Sequence, residues 1–190
     1  MPLYGVTDAD ESKPKWAVRG SGVDPQNIFA TADGWVLRHY KNAAKTAFWD
    51  EILVSVDGLV GAGGRGTNTI GAADITAVFF EETGYAGGAT GTVVVIYNEQ
   101  VNVTNGATLV VRNTTDSANI TATAAAQTGV NRVEFTFTAA ATGKAHAIQA
   151  QTISGTIVDS TGGATSDKAF VAGDVVGAGG SGSTKTFTAS

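Results

Sequence analysis

The chain has 190 residues, 43% of them hydrophobic and only 15% charged, enough to bury one large core or two small ones. Its formal net charge is −5 and no Lys or Arg cluster beyond Lys13 and Lys15, which argues against nucleic acid as the main partner, because neutralising phosphates takes clustered cations. The lack of cysteine rules out disulfides and thiolate metal sites, and no apolar run approaches the ~18–20 residues of a membrane-spanning helix. No basic stretch followed by an apolar run opens the chain, so a soluble protein made in a cytoplasm is expected. Much of the apolar content is Ala and Val, interspersed with 25 Gly, and this suits many short strands with Gly-rich connections. The expected class is all-β.

Residues 1–33 read as an extended arm. All three prolines (Pro2, Pro14 and Pro25) fall here, spaced so that no ordinary helix fits between them. The arm still carries Leu3, Tyr4, Trp16, Val18, Ile28 and Phe29, more large apolar groups than a solvated tail would hold. It either packs along its own domain or lies across a neighbouring subunit. In the second case Leu3, Tyr4, Trp16, Ile28 and Phe29 are the partner-binding residues.

Residues 34–60 predict, together with the arm, a small β domain. In Gly34–Tyr40 the residues Trp35, Leu37 and His39 share one face, and Val36, Arg38 and Tyr40 share the other. The second strand, from Phe48 to Val56, turns either Phe48, Ile52 and Val54 or Trp49, Leu53 and Val56 inward. Lys41 to Lys45 form the hairpin loop between them. All three Trp (Trp16, Trp35 and Trp49) lie in this first third, which suggests an aromatic core.

Residues 61–74, GAGGRGTNTIGAAD, read as a linker. Gly61, Gly63 and Gly66 match the spacing of a dinucleotide fingerprint, but no helix follows to place its N-terminal amides on a pyrophosphate. The pattern recurs at Gly177, Gly179 and Gly182, again after a Val-containing run, and marks flexible connectors rather than a nucleotide site.

Residues 75–176 predict a second domain of strands and turns, a β-sandwich or barrel. Candidate strands are Ala77–Glu81, Thr92–Tyr97, Gln100–Thr104, Thr108–Asn113, Ile120–Ala125, Arg132–Thr138 and Ala147–Ile153, with Ser154–Val158 and Ala169–Val171 weaker. Val133, Phe135 and Phe137 alternate with Arg132, Glu134 and Thr136 and should point into the core. At Asn105-Gly106 a three-residue turn with Gly106 left-handed pairs Val103 with Leu109 and puts Val101, Val103, Leu109 and Val111 on one face. The alternative places these two strands in opposite sheets. Residues 177–190, whose one large group is Phe187, read as a mobile tail.

Few groups could do chemistry. His39 and His146 lie in different predicted domains without a partner at ligand spacing, and each reads as a strand-face residue. Asp8, Asp10 and Glu11 lack the further ligands and central Gly of a calcium loop. Glu81 and Glu82 are adjacent on a strand and so face opposite ways. No nucleophile elbow occurs. The sequence therefore predicts no enzyme, no cofactor and no metal site.

Two sets of motifs carry a resemblance. Leu3-Tyr4-Gly5, Thr7-Asp8 and Ser12-Lys13-Pro14-Lys15, then Gly34-Trp35-Val36 with Tyr40 and Glu51-Ile52-Leu53-Val54, resemble a family of small virion structural proteins of tailed phages, especially marine ones. This covers about the first third of the chain. Val94 to Val103, Thr108 to Val111 and Asn131 to Phe137 resemble a bacterial Ig-like module. Such modules often carry calcium ligands in their loops, but the acidic clusters those need are absent here. Together the resemblances imply a capsid decoration (cement) protein of the virion. Its N-terminal part would dock on the major capsid protein, beside other copies of itself, and its Ig-like domain would project outward. The alternatives are a tail-associated virion protein and, in a different class, a carbohydrate-binding or adhesion module with a weak contact to host-surface glycans. Exposed aromatics on the second domain would favour that module, and Tyr85 and Tyr97 are the only Tyr there.

Overall fold

The computed structural model describes residues 24–31, 34–55, 72–161, 163–180 and 184–190. Leu3, Tyr4 and Trp16 lie outside the described residues, as do Gly61, Gly63 and Gly66 of the predicted linker. The protein is all-β, with no α-helix among the described residues. In chain order its strands are β1 (Ile28–Thr31), β2 (Gly34–Tyr40), β3 (Phe48–Ser55), β4 (Ile75–Phe80), β5 (Thr90–Val103), β6 (Ala107–Asn113) and β7 (Ala118–Ala124). They continue with β8 (Gln127–Thr138), β9 (Ala145–Ile148), β10 (Gln151–Thr152), β11 (Ile157–Asp159), β12 (Ala169–Phe170) and β13 (Thr186–Thr188). Two 3-10 turns, Pro25–Asn27 and Ala178–Gly180, are the only other regular elements among the described residues.

The first sheet has the order β1-β2-β3, all antiparallel. β1 comes from the predicted extended arm, which over Ile28–Thr31 packs along its own chain, the first of the two expected alternatives. Ile28 pairs with Leu37 and Phe29 with Val36, and the apolar run finds its place as a strand. The predicted hairpin of Gly34–Tyr40 with the Phe48 strand is present, with Arg38 opposite Asp50 and Tyr40 opposite Phe48.

The large sheet runs β11-β5-β8-β7-β6-β9-β13, and β4 also pairs with β5. It folds over on itself. Phe80 on β4 and Phe187 on β13, at opposite ends of the order, meet edge to face with ring centroids 4.9 Å apart. One core cluster therefore takes Val93, Val95, Val133, Phe135 and Phe137 from one part of the sheet and Leu109, Val111, Ala122, Ile148 and Phe187 from the other. β8 shows the expected alternation, with Val133, Phe135 and Phe137 buried and Glu134 and Thr136 exposed. Ala77, Phe79, Val94, Ile96 and Val176 form a second buried cluster. β4 and the first half of β5 are thus buried on both faces, which explains their unbroken β-branched and aromatic runs. Gly91 is required by packing, since a Cβ there would lie 2.5 Å from Cζ of Phe137.

The structure corrects three expectations for this region. Thr92–Tyr97 and Gln100–Thr104 are one strand, β5, whose register shifts between Ile96 and Val101. β5 and β6 are not hairpin partners. β8 lies on one side of the later half of β5 and β11 on the other, leaving no free edge there, so β6 crosses to pair with β7 and β9. Val101, Val103, Leu109 and Val111 still share one core because they face it from opposite sides, and Gly106 is left-handed as expected, with φ of 87°. Finally, residues 177–190 are not a free tail over their described part. β13 pairs with β9, and Phe187 is buried against Phe80, Tyr85 and His146.

Candidate docking surface

The most exposed large apolar side chains among the described residues, Val171 aside, sit together on one strand. Phe48, Trp49 and Ile52 of β3 are 45%, 49% and 55% exposed. β3 ends its sheet, and among the described residues β2 is its one strand neighbour.

The hairpin is built to hold this strand rigidly. Its loop is organised by Asn42, whose side-chain carbonyl accepts the Thr46 and Ala47 amides at 3.0 and 3.3 Å, while its amide donates to Thr46 Oγ1 at 2.8 Å. On one face the Arg38 guanidinium lies between two rings, 4.4 Å from the centroid of Phe29 and 3.8 Å from that of Phe48. It donates two hydrogen bonds to Asp50, each 2.8 Å long. Those bonds are the main reason the Arg38 pKa is raised further above its ordinary value. Tyr40 meets Phe48 edge-on, with Lys45 Nζ 5.2 Å from the Tyr40 ring centroid. On the other face Trp49 stacks on His39 at 4.1 Å and 12°, and His39 Nε2–H donates to Glu51 at 2.8 Å. Each half-exposed ring is thus braced by a polar partner one strand away, and its other surface remains open.

Of the five residues assigned by sequence to partner binding, only Ile28 and Phe29 lie within the described residues. Both are buried in β1, at 0% and 6% exposure. Phe29 packs beneath Arg38, and β1 lies against β5 of the large sheet. These two side chains serve the interior. The sequence contained a signal for the exposed set: Phe48-Trp49 and Ile52-Leu53 are adjacent apolar pairs, so each pair puts one member on either face.

His146 is buried on β9, its Nε2 accepts the Ala140 amide at 3.0 Å, and it stacks on Phe187. Among the described residues no group of three or more His, Cys, Asp or Glu is placed to hold a metal ion. No described helix is long and apolar enough to cross a membrane. The residues around Gly177 and Gly179 form a 3-10 turn, and Gly182 lies outside the described residues. Comparison with protein-family models, curated proteins and solved structures finds no match.

Proposed function

We propose that this chain is a structural protein of a phage virion, a capsid decoration protein that docks on the major capsid protein through its N-terminal β unit. In this reading it acts as no enzyme, needs no cofactor, binds neither nucleic acid nor membrane, and sits on the particle in many copies. One observation carries the proposal. The exposed large apolar groups among the described residues concentrate on β3, as Phe48, Trp49 and Ile52, with Val171, just after β12, the one other. A protein lattice suits this strand because aromatic side chains braced at a surface lose little entropy on binding and desolvate well. The large unit then plays the part of the projecting Ig-like domain. Its strand order supports that reading, since β4-β5-β8 and β6-β9-β13 occupy opposite sides of one core. The glycan-binding alternative finds no such support: Tyr85 and Tyr97, the two Tyr of the large unit, are both buried.

The test uses particles stripped of this protein. Phe48, Trp49 and Ile52 are changed together to Ser in the full chain, and binding is read by co-sedimentation. Because the three are half exposed, the variant should keep its unfolding free energy within about 1 kcal/mol of the parent and bind at least tenfold more weakly. Wild-type occupancy by the folded variant would overturn the proposal.

A further inference from the structure

A group of buried polar atoms lies at the β11 end of the large sheet. β5 shifts register over Tyr97–Gln100, between its pairing with β8 at Ile96 and at Val101. Within this stretch Tyr97 Oη and Glu99 Oε1 are buried without a hydrogen-bond partner, and so is Ser166 Oγ. β11 covers β5 immediately afterwards, with Asp159 opposite Val101 and the Ser160 amide bonded to Gln100 O at 2.9 Å. Glu99 and Asp159 are thus diagonal neighbours across the β5–β11 pair, a spacing at which long side chains interact. Asp159 is itself 2% exposed and accepts the Thr161 amide.

We propose that β11 is a pH-gated strand, held on β5 while the Glu99 carboxyl is protonated and loosened when Glu99 ionises beside Asp159. Asp159 on β11 acts on Glu99, and Asp74 and Asp167 act on Tyr97 two residues away. No ion pair among the described residues includes Glu99. Lys168, the cation closest in sequence to Asp159, donates to Gly155 O at 3.0 Å. Burial, and then Asp159, pushes the Glu99 carboxyl up to about 7. β11 is the element that yields because its pairing with β5 is short, three residues flanked by the Ser160–Gln100 bond and by the Thr104 amide on Thr156 O at 3.1 Å.

The sign follows from linkage. A carboxyl raised in the closed state favours that state fully at pH below its ordinary value near 4.5, and the advantage is lost as pH rises through about 7. Opening of β11 should therefore increase between pH 6 and pH 8. About tenfold is the ceiling for a complete shift, and solvent screening of a partly exposed carboxyl reduces it to a few-fold. Hydrogen exchange of the 157–159 amides, corrected for the intrinsic pH dependence, measures this in the full chain. A few-fold loss of protection from pH 6 to pH 8, absent in Glu99→Gln, is expected. Carbon NMR of the Glu99 carboxyl should give a titration midpoint near 7. Equal protection at both pH values, an unchanged loss in Glu99→Gln, or a midpoint near 4.5 would each overturn the proposal.

Discussion

His146 shows how one side chain can be read correctly in sequence and still have its main property hidden. A lone His without a ligand partner predicts a strand-face residue, and it is one, on β9. What the sequence could not show is that Phe187, 41 residues on, stacks on its ring at 4.4 Å and 2°. Burial there pushes the imidazole pKa down from 6.5. A base whose folded pKa is lowered leaves stability intact above 6.5 and removes it as pH falls below that value. We therefore expect His146→Asn, measured by urea unfolding, to narrow the gap between this variant and the parent at pH 5.5 relative to pH 7.5. A gap that is the same at both values would show that His146 titrates alike in both states. Glu99 acts in the opposite sense over this range, so the comparison with the variant is what isolates His146.

The strands were legible wherever one face alone is buried. The alternation of β8 survives in the structure residue for residue, because a period of two with one dry face fixes the register. Legibility failed where the partner lies far away in the chain. Asn105-Gly106 looks like a hairpin turn locally, but the pairing of β5 with β11 takes the edge that β6 would need. The end of the chain failed in the same way, as Gly, Ser and Thr suggest a tail and a single Phe decides otherwise. Phe187 contacts Phe80, Tyr85, Phe137 and His146, and β13 closes the edge of β9. Truncating a buried Phe costs about 3–5 kcal/mol, so Phe187→Ala should lower the unfolding free energy by that amount. A loss below about 1 kcal/mol would return the segment to a loosely attached tail.

At the scale of the whole molecule, the link between the two sheets decides whether the small sheet and the large one move together. β1 and the 3-10 turn before it lie against β5, and Asn131 Nδ2 on β8 donates to Gln26 O at 2.6 Å. Ile28 and Trp35 are almost wholly buried, as are Val94 and Ile96 on β5. The small sheet is therefore packed against the large one rather than merely tethered to it by chain. This separates two truncations that sequence alone would treat as one arm. Removing the residues before Asp24 leaves β1 and the Gln26 contact in place. Removing everything before Gly34 deletes β1, strips part of the cover from β5 and leaves Arg38 without Phe29. At roughly 1.5–3 kcal/mol for each large apolar side chain uncovered, the longer truncation should lose several kcal/mol and gain binding of a hydrophobic dye. Matching midpoints for the two truncations would mean that β5 does not depend on β1. The large unit would then be free to swing relative to the surface that β3 presents.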